Sequence, residues 1–433
     1  MMKNSFLILS LLVFMSTQAQ NNSLSYASPA EVGLDSVYIY TKVDSIINNG
    51  IKNKAFPSAQ VLVAKDSKII FHKAYGFHTY DSIQPAQLSD LYDLASVTKI
   101  IGPLPAIMKL VEEGKLDVDQ PFSNYWKPWK KRKDKKHLTL REILAHQAGL
   151  PPYIVFVNDV LKKNGRIKSR FVKTTSKNRF QNQAYDGLFV KNRFNRKMYR
   201  KINRSKVSDQ KKYRYSGLTF LIFPKLITLL TGDNYETYLQ KTFYAPIGAK
   251  TLGFLPKNKN FTNKIVPTEI DTLFRKGLTQ NWVHDENAAL LGGISGNAGL
   301  FGSATDLVKM MQLYLNYGNY NGQQIISENL VKEFIKVQFP ENNNRRGLGF
   351  DKPYLNNPAL SLADAYPAPE ASTSSFGHSG FTGTFVWADP ETKLIYIFLS
   401  NRVYPTRDQQ AIYKLNIRLA VQQVFYTAIL RSE

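Results

Sequence analysis

Cysteine is absent from all 433 residues. That excludes disulfides, thiolate metal sites, iron–sulfur clusters, a cysteine nucleophile and an acylated lipoprotein anchor. There is no HExxH zinc pair, no GxxxxGK(S/T) phosphate loop and no GxGxxG dinucleotide fingerprint. The GxSxG nucleophile elbow is also missing, since Gly377-His378-Ser379-Gly380-Phe381 lacks the final glycine. Beyond the N-terminus, no apolar run approaches the roughly 20 residues that a membrane helix needs. Acidic residues are scarce: 33 against 57 Lys and Arg, for a net charge of +24.

The positive charge is local. Residues 162–214 hold 19 Lys and Arg and two acids, Asp186 and Asp209, for +17. Residues 127–136 (KPWKKRKDKK) add +6, leaving +1 for the rest of the chain. A near-neutral protein with two basic segments is not a uniformly basic nucleic-acid binder, and no nucleic-acid partner is expected. The segments are either solvated faces with interleaved core aromatics or a means of attraction to an anionic envelope surface. The chain is 43% hydrophobic and 12% aromatic, enough for a substantial core.

Lys3, the apolar run Phe6 to Met15 and the polar STQAQ that follows have the layout of a secretory signal. Thr17 and Ala19 suit positions −3 and −1, so residues 1–19 are expected to be removed and 20–433 to form one exported domain. The product is periplasmic or secreted, without a transmembrane span.

Residues 58–64 and 68–74 read as strands about a turn at Asp66-Ser67. Ala95 through Leu116 reads mainly as helix, interrupted at Gly102-Pro103 and Pro105. Helices are also expected over 138–146, 215–231, 235–243, from Ser303 to about Tyr317, and from about Asp408. Residues 383–388 and 393–400 form a hairpin about Asp389-Pro390-Glu391-Thr392. Strands at both ends with helices between them predict an α+β fold. Its antiparallel sheet combines N- and C-terminal strands, is flanked by helices, and carries an inserted, mainly helical region over roughly 96–300.

Ser-x-x-Lys occurs twice, at Ser96–Lys99 and Ser208–Lys211. The second lies in the basic, polar stretch and reads as surface. The first opens an apolar helix, where a three-residue spacing puts both side chains on one face. A serine needs a base to become a nucleophile, and a lysine one turn away can serve it. In isolation an N-cap serine and a surface lysine would look the same. Two further motifs follow in order, Tyr213-Arg214-Tyr215-Ser216-Gly217 and the 376–383 segment FGHSGFTG.

This ordered triplet resembles the serine β-lactamase and penicillin-binding-protein-like hydrolases. The nearest branch includes class C β-lactamases, DD-carboxypeptidases, D-aminopeptidases and β-lactamase-like esterases. The resemblance spans roughly residues 30–420. It includes PSAQV (57–61), LTLREILAHQAGLP (138–151), VHDENA (283–288), GNAGLFGSATDL (296–307), GLGF (347–350) and DPETKLIYIFLSNRVYPTR (389–407). It implies a β-lactamase/transpeptidase-like fold with neither metal nor cofactor. It assigns Ser96 as the acylated nucleophile, Lys99 as its proton partner, Tyr215 as phenolate or shuttle, and His378 at the position that usually carries a lysine. The backbone N–H groups of Ser96 and Phe381 would form the oxyanion hole.

The departures matter. Gly217 replaces the asparagine that usually follows Tyr-x, which argues against efficient β-lactam hydrolysis. His378 would hold a substrate carboxylate only while protonated. Gly217, Ser379, Gly380 and Arg402 are candidate substrate contacts, although Arg402 equally suits a surface ion pair. His284, Asp285 and Glu286 suit either a cleft wall or a loop-fixing network. His146 reads as a charged helix terminator, and His72 and His78 as structural. The resemblance implies a serine hydrolase acting on a cell-wall-derived D-amino-acid peptide, including peptidoglycan fragments, or on a small ester. The alternatives are a catalytically weak envelope-binding protein of the same fold and a true β-lactamase.

Overall fold

A computed structural model describes residues 24–432. The segment read as a secretory signal lies outside the described residues. The main sheet has six strands: β1 (Ser25–Tyr26), β2 (Ser58–Lys65), β3 (Lys68–Gly76), β4 (Phe376–Ser379), β5 (Phe385–Asp389) and β6 (Leu394–Ser400). Their spatial order is β1-β3-β2-β6-β5-β4, so N- and C-terminal strands join at β2 and β6. All pairings are antiparallel except the short edge strand β1, which runs parallel to β3. That edge is a correction to the all-antiparallel expectation.

Both faces of the sheet are buried, which explains why its central strands read as continuous apolar runs rather than alternating ones. Val61 and Val63 of β2 join Phe385, Trp387, Tyr396 and Phe398 in one core. Leu62 and Ala64 face the other core with Val386, Ile395 and Ile397. Helices α1 (Ser36–Lys52) and α9 (Ile417–Leu430) cover the first face, and α8 (Ala304–Leu315) lies on the second. Asp66 and Ser67 both have positive φ (51° and 62°), the backbone that a tight two-residue hairpin turn requires.

The apolar stretch after Ala95 breaks where its glycine and prolines stand. A 3₁₀ turn (Ala95–Val97) leads into α2 (Thr98–Ile101), Gly102 interrupts, and α3 (Pro103–Glu112) follows. The helix expected over 138–146 is the shorter α4 (Leu140–Leu144), opened by a Thr139/Glu142 capping box. The basic segment contributes α5 (Phe194–Arg204), and α6 (Phe223–Thr231) starts later than expected. Its predicted start at 215 fails because Ser216 and Gly217 are tied to the 146–152 loop. The Ser216 hydroxyl donates to the Pro151 carbonyl and the Gly217 amide to that of Pro152. The inserted region is also less helical than expected. It holds a small sheet of Val172–Lys173, Asn182–Tyr185 and Leu188–Val190, and its Gly253–Phe254 joins Tyr92–Asp93 and Leu300–Gly302 at its borders in a second. α7 (Glu286–Leu290) completes the elements around the cleft. Among the described residues, no helix is long and apolar enough to cross a membrane.

Candidate active site

Ser96 sits in the 3₁₀ turn that leads into α2. Ala95 before it has φ +44°, a left-handed backbone that a non-glycine residue adopts only under constraint. The constraint is visible. The buried Asp93 carboxylate accepts the Ala95 N–H through Oδ1 (2.8 Å) and the His284 N–H through Oδ2 (2.7 Å). Its backbone carbonyl accepts the Thr382 hydroxyl at 2.8 Å, and that of Leu94 accepts Thr384 at 3.1 Å. Asp93 and Leu94 thus stitch the Ser96 turn to the β4–β5 turn and to the 283–288 segment.

Lys99 is buried, and its Nζ donates to Ser96 Oγ at 2.9 Å and to the Asn297 carbonyl at 2.9 Å. Tyr215 is half-buried against them, its ring 5.3 Å from Lys99 Nζ. Burial alone would raise the Tyr215 pKa. The Lys99 charge, contacts with Lys99 and Ser96, and the Arg346 charge outweigh burial and hold it below the ordinary tyrosine value. The other Ser-x-x-Lys is a surface feature: Lys211 pairs with Glu142 rather than with Ser208.

His378 is also near Tyr215, with ring centroids 6.1 Å apart. It is only 2% exposed and faces the Arg346 and Lys99 charges. Burial first, then those charges, push its pKa well below 6.5. Its Nδ1 bonds the Ser379 carbonyl at 2.7 Å, which leaves Nε2 without a partner among the described residues. These surroundings disfavour the protonated His378 on which a carboxylate-holding role is conditional. The charge expected of His146 at its helix end is corrected. This residue has φ +55°, lies with its ring centroid 4.5 Å from that of Tyr215 and tilted by 48°, and is held neutral by burial and by Arg346. Its Nδ1 accepts the Ser216 N–H, so it carries no charge to the end of its helix.

A cleft of about 400 Å³ opens over Ser96, Lys99 and Tyr215. Its apolar wall includes Pro152, Tyr153, Val155 and Leu273, and Phe381 projects into it with 48% of its surface exposed. Gly217 and Asn297 lie side by side in the lining. A Cβ added at Gly217 would meet nothing closer than Asn297 Cβ at 3.9 Å, so the missing side chain leaves open space. His284, Asp285 and Glu286 also line the cleft, with Asp285 Oδ1 accepting Asn297 Nδ2 at 3.2 Å, and are the network foreseen as their alternative. His284 bonds Glu269 at 2.9 Å, and Arg407 reaches Glu269 at 2.5 Å and Glu286 at 2.7 Å. Burial of Glu269 favours its protonated form, but His284 and Arg407 prevail and hold its pKa far below the ordinary value.

Three proposed substrate contacts fall elsewhere. Ser379 and Gly380 do not line the cleft. Gly380 is needed for close packing, since a Cβ there would lie 2.0 Å from Thr384 Oγ1 and 2.7 Å from the Leu94 carbonyl. Arg402 is 1% exposed and neither pairs at the surface nor reaches the cleft. Its guanidinium donates to the carbonyls of Phe381, Arg407 and Gln409 and packs between the Phe381 and Tyr413 rings. The arginine that does reach the cleft is Arg407, five residues on. The Ser96 and Phe381 amides donate to no other group among the described residues.

The beta-lactamase family profile matches residues 43–420. The chain belongs to the beta-lactamase family. A Salmonella gallinarum protein provisionally named D-alanyl-D-alanine carboxypeptidase is 31% identical over 405 residues, covering 88% of this chain and 86% of that one. Among solved structures, the octameric penicillin-binding protein homologue of Pyrococcus abyssi superposes with a TM-score of 0.63 at 19% identity, over 91% of this chain and 78% of that one. The D-amino acid amidase of Ochrobactrum anthropi SV3 gives a TM-score of 0.60 at 15% identity, over 91% and 99%. The fold is therefore the β-lactamase/transpeptidase-like one, and the chain is a β-lactamase-like serine hydrolase. Beyond its motifs, the sequence left Asp93, His146, Asn297 and Arg346 unassigned to the site. Only Asn297, inside GNAGLFG, and His146, inside the 138–151 motif, carried any local signal.

Proposed function

We propose that the protein is an exported serine hydrolase that cleaves an amide or ester through an acyl-enzyme on Ser96. The observation that carries this reading is the 2.9 Å hydrogen bond between Lys99 Nζ and Ser96 Oγ at the floor of the cleft, beside an acidified Tyr215. Lys99 donates from both of its bonds, so Tyr215, once ionised, is the group free to take the Ser96 proton. Ser96 Oγ then bonds the substrate carbonyl carbon, and the carbonyl oxygen becomes an oxyanion facing the Ser96 and Phe381 N–H groups. Each such donor contributes about 3 kcal/mol. As the tetrahedral species collapses, the C–N or C–O bond breaks and the leaving group takes the proton from Tyr215. Water, deprotonated by the same phenolate, attacks the ester on Ser96. The acid leaves, and the proton returns to Ser96.

The cleft also bears on the substrate. The cations in the lining are engaged by the protein: Lys99 by Ser96, the Asn297 carbonyl and the Tyr215 ring, and Arg407 by two carboxylates. This favours a D-amino-acid peptide or amide with an uncharged or amino-bearing end near the scissile bond, or a small ester, over a substrate held by its C-terminal carboxylate. Asn297 borders the space at Gly217, but its Oδ1 accepts the Ser295 hydroxyl at 2.7 Å and its Nδ2 donates to Asp285 at 3.2 Å, so the open space itself, not this amide, would receive the acyl side chain. The test is kcat/KM on a panel: a D-alanyl-D-alanine peptide, the matching D-alanine amide, a p-nitrophenyl ester and a cephalosporin. Turnover of the amide or ester at least about tenfold above the free-carboxylate peptide supports the reading. Preference for the free carboxylate or the cephalosporin contradicts it.

A further inference from the structure

The two basic segments, distant in sequence, meet in one groove of about 560 Å³. Lys131 and Arg132 come from the first segment, and Arg196, Arg200 and Arg204 from α5 in the second. The apolar side of α5 (Phe194, Met198, Ile202) is buried, which turns this arginine row outward. The groove has a rigid floor. Trp126 packs edge-on to Tyr199 at 5.7 Å, and Asn203 Oδ1 accepts both Trp126 Nε1 (2.9 Å) and Trp129 Nε1 (3.0 Å).

The cations on α5 are sorted. Lys197 and Lys201 pair with Asp159 at 3.3 and 2.6 Å. Arg196, Arg200, Arg204 and Lys131 make no ion pair among the described residues. Arg132 has only a 3.6 Å approach to Asp134, and its Nε is buried without a hydrogen-bond partner. No acidic residue lines the groove. Ordinary surface charge would be mixed with acids, as it is on the lysine side of the same helix.

Arginines four residues apart on a helix repeat at about 6 Å. Their planar forks match phosphate oxygens in two-point hydrogen bonds, which an ammonium does not. A straight row inside a concave groove suits a thread with charges at intervals rather than a flat bilayer. We infer that this groove binds a linear polyanion carrying phosphate groups along its length.

The experiment titrates the mature protein with medium-chain inorganic polyphosphate and, separately, with phosphatidylglycerol vesicles. It compares the parent, the groove variant Arg196→Gln/Arg200→Gln/Arg204→Gln, and a control that loses the same charge elsewhere, Lys42→Gln/Lys52→Gln/Lys414→Gln. All six positions are exposed, and an unchanged thermal midpoint verifies folding. Polyphosphate should bind the parent in a salt-dependent manner. The groove variant should bind at least about tenfold more weakly, with the log–log salt slope reduced by about two, and the control should stay within about twofold. Equal loss in both variants, no binding by the parent, or binding to vesicles alone would overturn the inference.

Discussion

Lys99 Nζ donates one 2.9 Å hydrogen bond to Ser96 Oγ and another to the carbonyl of Asn297. The second bond fixes the ammonium so that its charge acts on Ser96 and Tyr215 together. Lys99→Met should cut kcat by about 10²–10⁴-fold while leaving KM within a few-fold, because the loss falls on proton transfer rather than binding. Steady-state kinetics on the preferred ester or amide checks this, and an equal loss carried by KM would contradict it.

Tyr215 must be ionised to accept a proton, and its pKa lies below the ordinary tyrosine value. The kcat/KM of the parent should therefore rise with pH along a limb centred below 10. In Lys99→Met that limb should move to higher pH, because the stabilising charge is gone. Tyr215→Phe should abolish it and lower kcat about 10²–10⁴-fold. A limb unmoved by Lys99→Met would assign it to another group.

His146 and His378 are buried and neutral, with pKa values depressed by burial and by Arg346. Burial also takes His72 down to about 4. In the unfolded chain each titrates near 6.5. Their contribution to stability is therefore complete above 6.5 and is lost as pH falls below it, because the unfolded state gains protons that the native state refuses. The urea midpoint should drop between pH 7 and pH 4.5, and less steeply in His378→Asn. Substrate KM should stay flat from pH 5.5 to 8, since no histidine cation holds the substrate.

Asp93 touches no substrate and is a positioning residue. Asp93→Asn keeps its shape but presents an NH₂ group to an N–H of Ala95 or His284. The variant should lose about 1–3 kcal/mol of stability. At a temperature where it is fully folded, kcat should fall more than KM rises. A fully folded Asp93→Asn with parental kcat would show that the strained Ala95 turn holds without it.

Two glycines should respond oppositely. Gly380→Ala drives a Cβ into Thr384 and the Leu94 carbonyl, so it should lower the thermal midpoint, cost about 1–3 kcal/mol and reduce activity. Gly217→Ala enters open space and should leave the thermal midpoint unchanged.

The parts of this protein legible in its sequence are those set by local chemistry. The two hairpins follow from apolar runs about turn residues, and Ser96 and Lys99 follow from a one-turn spacing. What stayed hidden depends on long-range closure. Asp93 and Arg346 look like ordinary charges until the fold brings the first to His284 and the second to Tyr215. Arg402 and Arg407 sit in one motif, and nothing local says that one is buried as a clamp and the other faces the cleft. His378 reads as a titratable switch, yet burial beside two cations removes its charge. The basic segments announced their charge but not that Lys131 and Arg196 would line one groove.

Every step proposed for the site requires Ser96 to be the acylated nucleophile. Intact-mass spectrometry of the protein after incubation with a fluorophosphonate and, in parallel, a penicillin tests it directly. A single fluorophosphonate adduct is expected in the parent and in Ser208→Ala, lost in Ser96→Ala, with little or no penicilloyl adduct. An adduct that survives Ser96→Ala, or no adduct in a folded parent, would contradict it.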